Sequence, residues 1–159
     1  MSIIFFSTIF AEEFIVENAK SKIVLLYRDT ELKKELVSQL VKELNQMQIS
    51  VQTDSLDKGT NYPVEKYDSV IILSNIEKFN PDAAASAYIK KNGYSKKIIY
   101  VATYIKFNNP YGPMGLSLDK SKIDVITTAS PDEGKTFDST AVEKVRREII
   151  AKVKNNLSL

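Results

Sequence analysis

The sequence predicts a three-layer α/β/α sandwich built on a five-stranded parallel sheet. Three observations carry this reading. Short continuous apolar runs rich in β-formers recur along the chain, at Ile23–Tyr27, Val70–Leu73 and Ile98–Tyr104, as in strands buried on both faces. Stretches with helical spacing of apolar residues lie between them. Strands that alternate with helices call for right-handed crossovers covering both faces of a parallel sheet. For five such strands the natural order is 2-1-3-4-5.

Each element follows in turn. After Ile23–Tyr27, Thr30 reads as a helix N-cap, with Glu31 placed in the first turn where the macrodipole favours it. Leu32, Leu36, Leu40 and Leu44, with Val37 and Val41, form one apolar stripe running to Met47. Ile49–Thr53 is a short second strand. Asp54–Lys66 holds Gly59, Asn61 and Pro63 and reads as loop with one helical turn. Val70–Leu73 is the third strand. Pro81 suits the first turn of a helix running to Asn92, and Gly93 sits where a glycine ends a helix. Ile98–Tyr104 is the fourth strand, Asn108–Ser121 a loop, and Ile123–Thr127 the fifth strand. Ser139 caps a last helix, in which Val142, Val145, Ile149, Val153 and Leu157 keep helical spacing.

The first twenty residues stand apart from the domain at 21–159. Ser2–Ala11 is mostly apolar and is followed at once by Glu12 and Glu13. A run of about ten residues cannot span a membrane as a helix, which needs roughly twenty. It has the length of a signal-peptide core, and Ala11 is an acceptable cleavage residue, although no basic segment precedes the run. On that reading the protein is exported or periplasmic. On the other, 1–20 is an N-terminal extension, an added strand or an apolar helix packed on the domain, in which Ser2–Phe6 and Phe14–Val16 could each pair with a sheet edge, and the protein is cytoplasmic.

Composition excludes more than any motif includes. The 159 residues fit one domain with 22 basic and 20 acidic side chains, a net charge of +2 that gives no field able to recruit nucleic acid. With no Cys and no His there is no thiolate nucleophile, disulfide, Cys/His zinc site, Ser-His-Asp triad or imidazole base. Acid–base chemistry would fall to Asp, Glu, Lys or Tyr. An enzyme with its own catalytic side chains is therefore the least favoured class.

In open parallel sheets ligands bind beyond the carboxyl ends of the strands, at the point where strand order reverses. Here that rim is Arg28–Thr30, Ser74–Asn80, Thr103–Pro113 and Thr128–Gly134. The candidate ligand-binding residues are Arg28, Asp29, Thr30, Ser74, Asn75, Phe79, Thr103, Tyr104, Tyr111, Thr128 and Ser130. Phe79, Tyr104 and Tyr111 could stack on a flat ligand or anchor their own loops.

The segments KIVLLY (Lys22–Tyr27), EKYDSVIILS (Glu65–Ser74) and KKIIYVAT (Lys96–Thr103) resemble the flavodoxin family, the second being similar to its lead-in to the third strand. The resemblance covers most of Ser21–Leu159 and implies FMN as the cofactor. In that family a Ser/Thr/Gly-rich turn cradles the FMN phosphate at a helix N-terminus. Here the connection is only Arg28-Asp29-Thr30-Glu31, without glycine and with an added carboxylate. Asp124–Ser130 followed by Ser139–Val142 resembles a segment of exported FMN-binding domains, in which a hydroxyl carries FMN through a phosphoester. The matching residue is Ser130, but Thr128 stands in place of that motif's glycine and Pro131 follows directly. The acidic cluster and phosphoacceptor Asp of receiver domains have no counterpart, nor does their Lys after strand five. Three functions follow: a flavodoxin-like binding module, an FMN-dependent electron-transfer protein, or an interaction domain without ligand.

Overall fold

The computed structural model describes residues 11–77, 80–105, 116–130 and 139–159. In chain order the elements are β1 (Glu12–Phe14), β2 (Ser21–Tyr27), α1 (Glu31–Gln46), β3 (Ile49–Ser55), β4 (Ser69–Glu77), β5 (Asn80–Pro81), α2 (Ala83–Asn92), β6 (Ile98–Ile105), β7 (Asp124–Ser130) and α3 (Ser139–Leu157). The sheet runs β1-β3-β2-β4-β6-β7, with β5 hydrogen-bonded to β4. Its five parallel strands, β3-β2-β4-β6-β7, therefore stand in the expected order 2-1-3-4-5.

The strand count is a correction, since seven strands are present among the described residues rather than five. β1 adds antiparallel to the outer edge of β3, pairing Glu12 with Thr53 and Phe14 with Val51. Of the two segments that could pair with an edge, Phe14–Val16 contributes Phe14 alone to the strand, and Phe14 packs on the core. Ile15 turns out to solvent at 73% exposure, and the chain leaves the ladder. Val16 N–H then finds the Ser50 hydroxyl at 3.0 Å. Ser2–Phe6 lies outside the described residues.

Alternation along the strands sorts side chains onto two faces. Ile23, Leu25, Ile71, Leu73, Ile99, Val101 and Ile126 pack under α1 and α3, which also pair through Glu43 and Arg146. Val24, Leu26, Val70, Ile72, Ile98 and Tyr100 pack under α2 and the segments flanking it. The stretch read as loop with one helical turn holds two 3₁₀ turns, Leu56–Asn61 and Val64–Lys66. They lie close on the sheet: a Cβ built on Gly59 would come within 3.1 Å of Leu26 Cδ1 and 3.3 Å of Tyr88 Cδ2.

Local signals account for most boundaries. Thr30, extended at φ −133° and ψ 152°, caps α1 by accepting from Lys33 N–H. Gly93 ends α2 at φ +73°, its N–H bonded to Ile89 O. Pro81 is not the first helical residue. It belongs to β5, opposite Ile76, and the cap of α2 is Asp82, which accepts from the N–H groups of Ala84 and Ala85. Ser139 opens α3 from within the helix instead of capping it. Among the described residues no helix is long and apolar enough to cross a membrane.

Candidate functional site

The topology brings the ends of β2 and β4 together where strand order reverses, and a buried polar cluster occupies that point. β4 closes with Ser74 and Asn75. Consecutive strand residues face opposite sides, so Ser74 looks toward α2 and Asn75 toward α1.

On the α2 side the centre is Asp82, fully buried. Arg28, the first residue after β2, grips it with both arms, Nε to Oδ2 at 3.0 Å and Nη2 to Oδ1 at 3.1 Å. Such a fork on a carboxylate is among the stronger charged contacts a protein makes. The Ser74 hydroxyl donates to Oδ2 at 2.7 Å, and the N–H groups of Ala84 and Ala85 donate to Oδ1 at 3.1 and 3.0 Å. The Tyr100 hydroxyl, also buried, donates toward Ser74 Oγ and Asn75 O at 3.3 Å. Burial alone would raise the Asp82 carboxyl. The Arg28 bonds, the Ala85 N–H and the Ser74 hydroxyl outweigh it and hold the group below its ordinary value. Arg28 is raised in turn, chiefly by its hydrogen bond to Asp82. Its Nη1 also reaches the exposed carboxylate of Asp57 at 2.6 Å.

On the α1 side the centre is Lys33, only 2% exposed. Its ammonium donates to Asn75 Oδ1 at 2.5 Å and to Thr103 Oγ1 at 3.0 Å. Thr103 Oγ1 in turn lies 3.0 Å from Asn75 Oδ1 and 3.3 Å from Ser74 O. Both partners of the ammonium are neutral. Burial pushes Lys33 down to about 8; the charge of Asp82 works against that fall and Arg28 adds to it.

Of the residues expected from sequence, Arg28, Ser74, Asn75 and Thr103 belong to this cluster. Thr30 sits beside it as the α1 cap. Asp29 is turned outward, paired with Lys34 at 2.8 Å. Thr128 pairs with Thr103 in the sheet register and is half-buried; Tyr104 is half-buried one position further along β6. Ser130 ends β7 opposite Ile105, and its side chain, like Phe79 and Tyr111, lies outside the described residues. Lys33, Asp82 and Tyr100 were not anticipated. A signal existed for Lys33, which shares the helical spacing of Val37, Leu40, Val41 and Leu44 on the buried face of α1.

A groove of about 310 Å³ opens elsewhere, between α1 and the β1–β3 edge, lined by Phe14, Tyr27, Val37, Val41, Lys34 and Lys42 among others. It includes no member of the cluster. No group of three or more acidic side chains that could hold a metal ion occurs among the described residues.

No protein-family model and no curated protein sequence matches the chain. Solved structures do. A candidate quinone reductase from Klebsiella pneumoniae superposes with a TM-score of 0.53 at 13% identity, over 87% of this chain and 84% of that one. An oxidoreductase from Corynebacterium diphtheriae gives 0.51 at 11% identity, over 87% and 95%. The flavodiiron core of Flv1 from Synechocystis sp. PCC6803 gives 0.54 at 9% identity, over 89% of this chain but 37% of that one. The fold is flavodoxin-like. At these identities the likeness extends to the flavodoxin-like backbone and not to loop chemistry.

The flavodoxin-like frame makes the α1 connection informative. The four residues Arg28–Glu31 leave no glycine turn at the helix N-terminus. Thr30 Oγ1 is taken up by Lys33 N–H at 3.4 Å, and the guanidinium of Arg28 is turned to the α2 side by Asp82. These residues do not form the phosphate cradle that the resemblance implies.

Proposed function

We propose that this chain is a flavodoxin-like binding module that takes a small ligand or partner at the carboxyl ends of its strands. The buried cluster of Arg28, Lys33, Ser74, Asn75, Asp82 and Thr103 supports this reading best. Burying Lys33 and Asp82, with Arg28 half-buried beside them, is costly unless each is paired and hydrogen-bonded. Such investments concentrate at binding sites, and this one sits at the switch point of an open parallel sheet. The test is ligand-induced stabilisation, since a molecule that binds only the native state must raise the melting temperature. Thermal scans against a panel of small metabolites, with amide NMR mapping, should find a ligand that perturbs Asn75, Thr103 and Thr128. Perturbations confined to the helical faces, or stabilisation by nothing in the panel, would favour an interaction domain without ligand.

A second reading, an FMN-dependent electron-transfer protein, draws on the flavodiiron and oxidoreductase neighbours. When bound, FMN supplies the redox chemistry and the protein only positions and tunes it. The purified protein would then absorb near 450 nm, roughly the flavin band. Loss of colour on denaturation separates bound from covalent flavin, and persistence of covalent flavin in Ser130→Ala would exclude the phosphoester at Ser130. Export remains part of the proposal. Cleavage after Ala11 would leave β1 in place, and intact-mass measurement of the mature protein decides it, with Met1 or Ser2 retained counting against export.

A further inference from the structure

Resting on the rim-binding reading, we infer that the ligand presents an anionic group, a phosphate or a carboxylate, to Lys33, Thr103 and Thr128 on the α1 side of the sheet. The argument starts from charge. Among the described residues the cluster holds two cations within the fold, Arg28 and Lys33, and one buried carboxylate, Asp82. Arg28 consumes that carboxylate with a two-armed grip. Lys33 is left with neutral acceptors only. An ammonium carries three donors, so one N–H has no acceptor among the described residues.

A nearly dry cation with no carboxylate in direct contact among the described residues is an expensive thing to keep. The surrounding groups suit an anion. Thr128 lies beside Thr103 in the parallel register and therefore faces the same side. Its hydroxyl makes no hydrogen bond among the described residues, whereas the Thr103 hydroxyl is held against Lys33. Among the described side chains, the carboxylates of Asp82 and Asp57 are taken by Arg28 and that of Asp29 by Lys34. The N-terminus of α1 faces the same end of the sheet, and its dipole adds to the positive potential without making a site by itself.

The experiment uses the full chain and four probes at constant ionic strength: inorganic phosphate, acetate, FMN and riboflavin. Melting temperature is recorded for wild type, Lys33→Met, Lys33→Gln and Thr128→Val, with circular dichroism to confirm folding. The Lys33 Nζ signal is followed by NMR. Phosphate, acetate or FMN should stabilise the wild type and raise the Lys33 titration midpoint. Both Lys33 variants should bind the active anion about tenfold or more weakly, the equivalent of one charge-assisted hydrogen bond. Thr128→Val should weaken it less. Comparison of FMN with riboflavin and with free phosphate tells a nucleotide phosphate from a free anion. Equal stabilisation by riboflavin and FMN, with no response to phosphate or acetate, would leave the rim reading standing and overturn the anion. Anion binding that is undiminished in both Lys33 variants would overturn it too. No response to any probe, with the rim mapped by another, neutral ligand, would have the same effect.

Discussion

Ser74 and Asn75 are neighbours in one strand, yet the charges gathered on their two sides are handled in opposite ways. On the Ser74 side a buried carboxylate meets a forked guanidinium, a hydroxyl and two backbone N–H groups, and the charge is cancelled within the chain. On the Asn75 side a buried ammonium meets an amide oxygen and a hydroxyl, and the charge is solvated without being cancelled. The first arrangement ties β2, β4 and α2 together and stabilises the fold. The second costs stability, and that cost is the ground for the proposed anion. The alternation of a β-strand puts the two within one residue of each other.

The largest effect should come from breaking the cancelled side. Asp82→Ala leaves Arg28 partly buried without its partner and removes the α2 cap, so urea unfolding at pH 7 should register a loss of about 3–5 kcal/mol. Asp82→Asn keeps the cap and should lose less. Because Asp82 titrates below its ordinary value in the folded state, its contribution is present at neutral pH and fades as pH falls through that lowered value. The Asn variant should lack this acid-side decline.

The uncancelled side should respond on the alkaline side, by gaining stability as pH rises. Lys33 holds its proton in the unfolded chain to about pH 10.4 but releases it near pH 8 in the fold, so the unfolded state binds more protons in between. Stability should therefore rise from pH 8 to pH 10, by roughly 2 kcal/mol. Above pH 10 the phenols of Tyr62 and Tyr88, raised by burial, reverse the trend. Lys33→Met should flatten the rise and, at pH 7, equal or exceed wild-type stability by about 1–2 kcal/mol. A marked loss at pH 7 in a folded Lys33→Met protein would mean that the ammonium is a structural strut, and the contrast between the two sides would fail.

A smaller test concerns how α1 is positioned over the cluster. Thr30→Ala removes the cap that fixes the first turn bearing Lys33, at a cost of about 1 kcal/mol. Its melting temperature should fall slightly while the alkaline rise persists. If the rise vanished with the cap, the burial of Lys33 would depend on that turn alone.

Most of the fold was legible because its signals are local. Ile23–Tyr27, Val70–Leu73 and Ile98–Tyr104 are apolar on both faces, and the α1 stripe has one period throughout. β1 was legible only at Phe14, since Glu12 and Glu13 are exposed and only the partner strand makes them extended. At the site, position at a strand end sufficed for Arg28, Ser74, Asn75 and Thr103. Lys33 was hidden by its neighbour, for Lys33-Lys34 reads as a solvated pair until helical spacing sends one inward and the other out. Asp82 was hidden by distance. A capping aspartate is a local signal, but its partner Arg28 lies 54 residues away, and no pattern within either segment announces the other.

The short strand β1 bears on how the molecule behaves in a crowd. Without it β3 would offer a bare row of backbone donors and acceptors, a template on which another chain could grow. β1 covers that row with three residues, two of them glutamates, and Glu13 is pinned by Lys22 at 3.0 Å. A protease cut just after Ala11 would spare this guard, while one made three residues later would strip it away. The point of trimming would then separate a dispersed protein from one prone to edge-to-edge association, with every residue at the strand-end rim unchanged.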